Sequence, residues 1–374
     1  MDFLFSIVPT LIVLGLLILI HEVGHFLACR FLGVHVEKFS IGFGPEILHW
    51  QTKTTRYAIS LLPLGGFVKP AGETISEIEG AQPKKGDYLA APLFVRILIV
   101  IAGVAMNYLL ALVLFIAIFM IGRPVPGTTV GGFVEGYPAE ASGLLVGDRI
   151  VEIGGREVNT WVQLTDILEK STDTQLNLMV ERFPDGEEQG RLVALTVAPK
   201  IENIQNVFGE NFQIRRLGIM PNPESHEFER FGFLASLKRA GQTEWALTVM
   251  THKAIYFLLI GKLSPKSLAG PIGIISLTGS ATKLGLPYVL QLMATLSISL
   301  AVINLLPIPA LDGGHLLFLL IEGVRRRQVS LAVQERASQV GFILLMALMV
   351  FVIYNDLANL DVYEKIQNLF RSRS

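Results

Sequence analysis

Phe3 to Ile20, FLFSIVPTLIVLGLLILI, carries no charge and leads directly into His21-Glu22-Val23-Gly24-His25. No other stretch restricts the fold as much. A helix needs ~20 apolar residues to cross the hydrocarbon core of a bilayer. Within that core every backbone polar group must be satisfied internally, which forces a helix. On a helix, histidines four residues apart share one face, and both can reach a single zinc ion. The glutamate between them is placed to serve as general base. The plain alternative is a helix end with polar residues at the headgroup level. Two imidazoles and a carboxylate in so apolar a segment are costly without a partner, so the metal reading takes precedence.

Apolar residues make up 51% of the chain and charged residues 17%, a balance that points to a membrane protein. The 374 residues leave room for several spans and one extramembrane domain. The lone cysteine, Cys29, excludes an intrachain disulfide and a Cys-rich zinc site, so a metal must be held by His and carboxylate. Ahead of the first apolar run there is no basic stretch, and no small-x-small cleavage pattern follows it. It is therefore expected to be a retained span rather than a signal peptide. The net charge of −1 says little about partners, and no nucleic acid is expected among them.

Four spans are expected: residues 3–33, Ile97 to Ile121, Pro287 to Leu306, and Val340 to Tyr354 starting a turn earlier at Ala337. Lys38, Lys53, Arg56, Lys69, Lys84, Lys85 and Arg96 lie between the first two. Arg325, Arg326, Arg327 and Arg336 lie between the last two. The positive-inside rule places both loops, 34–92 and 322–336, in the cytoplasm, with the N-terminus and the 123–285 region on the other side.

In the first loop, Phe39 to Pro45 and Tyr57 to Val68 are apolar, β-prone and punctuated by Gly and Pro, with Gln51 to Arg56 as the turn of a hairpin. Its edge around Gly65, Gly66 and Phe67 could hold an extended substrate by strand addition. An amphiphilic hairpin resting on the membrane surface fits equally well.

Beyond span two, Val125 to about Asn222 has the short strands and turns of a soluble domain, with a helical segment at Val162–Lys170 and strands near 175–181 and 192–197. Tyr137 to Leu144 ahead of Val146-Gly147-Asp148 resembles a bacterial, circularly permuted PDZ domain. Leu217-Gly218-Ile219 then resembles its peptide-carboxylate loop. A steric or spacer role is the alternative. Residues 228–263 read as an amphipathic helix region for a membrane surface, followed by a Gly/Pro-broken segment, Ser267 to Ile274.

The second chemical motif is Asn304-Leu305-Leu306-Pro307-Ile308-Pro309-Ala310-Leu311-Asp312-Gly313-Gly314-His315. Its prolines break the helix and free carbonyls. Asp312 lies inside the apolar zone and needs a cation. A two-His zinc site lacks one anionic ligand, which Asp312 supplies. His315 is the competing ligand, and it would leave Asp312 unpaired. Asn304 has donor and acceptor groups for a substrate backbone, or else caps the break.

The two motifs in register, the PDZ-like domain between them and the Ser267 to Ile274 segment resemble the site-2 protease family, and most closely its bacterial regulator-of-sigma-E protease type. The resemblance covers nearly the whole chain. It implies an intramembrane zinc metalloendopeptidase with one Zn2+ per chain, held by His21, His25 and Asp312. Glu22 would be the base, and Asn304, with Pro307 beside it, would contact substrate. The family cuts single-pass membrane proteins, anti-sigma factors and signal-peptide remnants among them, after another protease has trimmed the substrate. Two departures stand out. The closest type has tandem PDZ domains, whereas 123–225 holds one. Where the family has Gly-Pro-x-x-Asn in its second span, this chain reads Gly103-Val104-Ala105-Met106-Asn107, so a straighter helix is expected.

The expected architecture is a polytopic α-helical membrane protein of about four transmembrane helices, with a membrane-associated β-hairpin and one extracytoplasmic PDZ-like α/β domain. The expected segments are 1–122, 123–225, 226–285 and 286–374. A non-proteolytic PDZ-bearing receptor with a structural zinc, or a metal transporter, would use the same polar residues differently.

Overall fold

The structure is a computed structural model that describes residues 2–73, 83–183, 190–205, 209, 211–264 and 269–359. In chain order its elements begin with α1 (Asp2–Phe31), β1 (Val36–Gln51), β2 (Arg56–Pro70) and α2 (Leu93–Ile121). Then come β3 (Arg123–Pro126), β4 (Val130–Phe133), α3 (Pro138–Ala141), β5 (Arg149–Ile153), β6 (Arg156–Glu157) and α4 (Trp161–Lys170). They are followed by β7 (Leu176–Arg182), β8 (Arg191–Val197), β9 (Lys200–Gln205), β10 (Asn211–Arg216), β11 (Ile219–Pro221) and β12 (His226–Glu229). The chain closes with α5 (Phe233–Leu259), α6 (Pro271–Leu284), α7 (Leu286–Asn304), α8 (Asp312–Arg325) and α9 (Leu331–Asn359). Two compact units result: Met1–Ile118 with Phe233–Ser374, and Phe119–Gly232.

In the first unit, α1, α2, α7 and α9 are long and apolar enough to cross a membrane. Their uncovered side chains, such as Phe5, Ile12, Leu109 and Leu344, are the apolar kind that lipid solvates. The chain is therefore a multi-pass membrane protein. β1 and β2 form an antiparallel hairpin that curls on itself. Phe39 lies opposite Val68 on one side and Tyr57 on the other, and residues 38–41 are paired along both edges. Gly65 brings the returning strand against Ile18 of α1.

Between α7 and α8 the helical ladder stops, as two prolines two residues apart require. The Ile308 amide bonds Leu306 O at 2.7 Å, the Leu311 amide bonds Ile308 O at 3.0 Å, and Ala310 takes a φ of 91°. That conformation is strained for a residue with a Cβ. It turns the chain so that Asp312 opens α8.

Three expectations are corrected. The Gly/Pro-rich stretch before span three is not simply broken. Ser267 and Leu268 lie outside the described residues, but from Pro271 the chain is helical through Leu284. Proline suits the first helical position because its fixed φ is helical and its missing N–H has no partner there anyway. The last helix runs from Leu331, not Ala337, and its polar first turns explain why hydropathy placed it late. The amphipathic region begins as strand β12 and becomes helix only at Phe233. The expected C-terminal tail from residue 360 lies outside the described residues.

The second unit packs a four-stranded sheet, in the order β6-β5-β7-β8, around a core containing Val130, Leu144, Ile150, Ile153, Leu176 and Val180. β4 pairs with β11, β3 with β12, and β9 with β10. Buried Asp148 accepts from Nε and Nη2 of Arg182, both at 2.8 Å, and from the Leu145 amide at 2.9 Å, which fixes the turn at Gly147-Asp148.

Candidate metal centre

His21 and His25 project from consecutive turns of α1, and Asp312 reaches them from the first turn of α8. The Nε2 atoms of the two histidines are 3.2 Å apart. Asp312 Oδ2 lies 3.0 Å from His21 Nε2 and 3.4 Å from His25 Nε2. Among the described residues this is the group of three potential metal ligands that converges, across a gap of 287 positions in sequence (312 − 25). A tetrahedral zinc site with ligand bonds of ~2.0–2.2 Å has ligand–ligand edges of roughly 3.3–3.6 Å. The observed triangle fits such a site with small adjustments.

The proton inventory also favours a cation. His25 Nδ1 is 2.8 Å from the carbonyl of Ile99 and must donate to it, so a neutral His25 offers only a lone pair at Nε2. Asp312 Oδ2 is buried and accepts no well-formed hydrogen bond. Acceptors therefore face acceptors at close range, an arrangement that costs free energy unless a positive charge lies between them.

Glu22 lies beside the two histidines on α1 and faces the same cavity as His25 and Asp312. Its Oε2 accepts the amide proton of Val68 at 3.1 Å, which ties it to the returning strand of the hairpin. Glu22, His25, Phe67, Asp312 and His315 line one cavity of 520 Å³ that continues toward Arg96, Glu322 and Gln334. Arg96 and Glu322 form a bidentate, largely buried ion pair there.

Asn304, at the last turn of α7, places Nδ2 3.5 Å from His21 Nε2. Pro307 is exposed in the turn that follows. His315, the competing ligand, lies one turn beyond Asp312 and lines the cavity outside the converging trio. Gly66 is paired with Ile41 within the hairpin, and Phe67 stacks on Phe43 with ring centroids 6.1 Å apart. In the second unit, Gly218 O accepts the Val134 amide at 2.8 Å, and the buried Leu217 O accepts that of Ala139 at 3.1 Å. Ile219 opens β11, and Gly218 and Ile219 line a separate cavity of 450 Å³ with Tyr137, Trp161 and Phe212.

Sequence reasoning singled out Gly103 and Asn107 in the second span but gave α2 no role at the site. Gly103 lies directly against both imidazoles: a Cβ there would meet His21 Cε1 at 2.8 Å and His25 Cε1 at 2.6 Å. Asn107 Nδ2 is 3.2 Å from His21 Nδ1. The available signal was a carboxamide in an otherwise apolar span, four residues after a glycine.

Comparison with known proteins supplies the family. The model of peptidase family M50 matches residues 9–348. A provisionally named zinc metalloprotease of Rhizobium meliloti is 32% identical over 364 residues, covering 94% of this chain and 96% of the relative. A provisionally named zinc metalloprotease of Campylobacter jejuni is 35% identical over 351 residues, covering 94% and 93%. Metalloprotease MmpA of Caulobacter vibrioides is 31% identical over 401 residues, covering 98% and 99%. With four apolar helices and a His-His-Asp cluster in place, the chain belongs to peptidase family M50, the site-2 protease family of membrane zinc metalloproteases.

Proposed function

We propose that this chain hydrolyses a peptide bond within the bilayer, in single-pass transmembrane substrates that another protease has already trimmed. Anti-sigma factors and signal-peptide remnants are the substrate classes that suit it. The convergence of His21, His25 and Asp312, with Glu22 on the same cavity, carries the reading. These three residues would hold the zinc. When bound, the metal supplies a Lewis acid for the scissile carbonyl and acidifies water.

Glu22 takes the proton of the attacking water and returns it to the leaving amine. The Val68 amide orients the Glu22 carboxylate while leaving one oxygen for this task. Asn304, beside His21 Nε2, is placed to donate to the substrate backbone. A helical substrate hides its carbonyls, so it must be drawn out. The strand around Gly65, Gly66 and Phe67, on the hairpin arm that touches Glu22, suits pairing with an extended segment, with Pro307, exposed in the turn after Asn304, as a further contact.

The Phe119–Gly232 unit fits a single PDZ-like module, with Leu217-Gly218-Ile219 beside its cavity as the peptide-terminus loop. Its role here is to sort substrates by bulk. The Lys and Arg distribution favours a cytoplasmic (inner) membrane protein with both short loops in the cytoplasm and the N-terminus and PDZ-like unit outside.

The test uses purified full-length protein and a single-span reporter substrate. Glu22→Gln should retain zinc and lose cleavage, whereas Asp312→Ala should lose both. Continued turnover by Glu22→Gln would remove the mechanism.

A further inference from the structure

We infer that Asn107 is a positioning residue for His21, its carboxamide oxygen accepting the Nδ1 proton of that ring so that the Nε2 lone pair is held toward the metal. This rests on the zinc reading above.

Asn107 sits inside the second span with no exposure to solvent. A carboxamide there is costly unless it is hydrogen-bonded. Its side chain meets the His21 ring at 3.2 Å, and its backbone carbonyl accepts the Ser297 hydroxyl of α7 at 2.8 Å, which pins this turn of α2. The two ends of a carboxamide are interchangeable in shape, so hydrogen-bond logic decides which faces the ring.

With Nδ2 toward the ring, His21 Nδ1 must accept, Nε2 must carry the proton, and Oδ1 stays buried without a partner. That tautomer cannot ligate through Nε2, the atom that faces Asp312 and His25. With the oxygen toward the ring, Nδ1 donates, Nε2 is free to bind, and Nδ2 takes the unpartnered place instead. One end of the carboxamide is unpartnered either way, so the need for a free Nε2 facing Asp312 and His25 decides.

The neighbouring ring shows the same arrangement. His25 Nδ1 donates to the carbonyl of Ile99, and Ile99 also belongs to α2. Ile99, Gly103 and Asn107 follow one another at intervals of four, along one face of the helix. One acceptor serves each histidine, and the residue between them has no side chain to obstruct the rings. α2 is thus the element that sets both tautomers.

The test measures the zinc affinity of the full-length protein in detergent by competition with a chelator, alongside thermal stability and elution profile. Asn107→Leu removes donor and acceptor at similar volume and should weaken zinc binding ~10–100-fold. Asn107→Asp keeps the acceptor, deletes the donor, and should bind within about threefold of wild type or more tightly. An Asn107→Leu protein with unchanged affinity would overturn the inference, as would an Asn107→Asp protein weakened tenfold or more, which would mark a donor. Should Asn107→Leu not fold, Asn107→Asp decides alone. His21→Ala separates the two levels. If it abolishes zinc binding, the zinc reading stands whatever the Asn107 variants do. If it binds zinc like wild type, the zinc reading fails and this inference fails with it.

Discussion

Gly103→Ala is the sharpest single-atom perturbation of the metal centre, because it adds one methyl group where both imidazoles lie. That carbon would stand 2.8 Å from His21 Cε1 and 2.6 Å from His25 Cε1, and closer still to His25 Nε2. Carbon atoms in contact sit ~3.5–4.0 Å apart, so each ring must retreat by about 1 Å. A retreat of α2 would instead open its close packing against Gly24 of α1, which lies on the Ala102 carbonyl and Met106. It is resisted also where the Asn107 carbonyl accepts the Ser297 hydroxyl at 2.8 Å. Overpacking of this kind costs about 1–3 kcal/mol. Metal sites tolerate ligand displacements of only ~0.2 Å, so the rings cannot absorb the strain and still bind well. If most of that cost falls on the ligand positions, zinc affinity drops roughly 10–100-fold at about 1.4 kcal/mol per factor of ten. Chelator competition on the full-length protein measures this directly, with thermal stability of the metal-free protein as the companion reading. A Gly103→Ala protein that is folded and binds zinc within threefold of wild type would refute the argument that α2 packs the rings into place.

Three further outcomes follow from the same structure. Arg96→Met should destabilise the protein by about 3–5 kcal/mol, because Glu322 would remain largely buried without its partner, and Arg96→Met with Glu322→Leu should recover most of the loss in thermal melts; equal damage from single and double variants would show that the pair is not coupled. On the hairpin, Arg56 and Lys38, with His49 nearby, hold the Glu46 carboxyl down at about 2, so its contribution is complete above pH ~4.5 and lost as pH falls toward 2. Glu46→Gln should speed amide exchange in residues 46–51 at pH 6 and leave it unchanged near pH 2, and a difference that persists at pH 2 would contradict this linkage. Deleting residues 126–222 should let untrimmed, longer substrates be cut, and unchanged size selectivity in a cleavage assay would count against sorting by that unit.

The parts of the molecule legible in the sequence are those governed by local periodicity or by prohibitive cost. Apolar runs announce spans because lipid leaves the backbone no alternative to a helix. His21, Glu22, His25 and Asp312 stand out because each is expensive in its surroundings. What stayed illegible depends on contacts between distant segments made by groups that every residue possesses. The carbonyl of Ile99 accepts from His25, yet any residue offers a carbonyl. Gly103 matters for the absence of a side chain, which no pattern of types reveals until its neighbours are known. Helix α6 was read as broken because Gly270, Pro271 and Gly273 look like punctuation. Its first turn is held by Asp356, 86 residues further on, whose carboxylate takes the Gly270, Ile272 and Gly273 amides at 2.9, 3.0 and 3.1 Å.

That last contact bears on how a chain can keep so many polar groups among its apolar helices. Each of them answers a specific deficit. Asp356 neutralises the positive end of α6, whose amides would otherwise lack acceptors. Arg96 and Glu322 cancel one another at the wall of the cavity. Asn107 and the Ile99 carbonyl meet the outer nitrogens of the two histidines. Only the inner nitrogens and Asp312 Oδ2 are left facing one another as acceptors, and no side chain of positive charge approaches them within ion-pair distance among the described residues. Replacing Asp312 by Asn should therefore do more than weaken a ligand. It removes the negative charge that balances a dication, and zinc should be lost more completely than in Asn304→Ala, whose carboxamide touches the centre only at its margin.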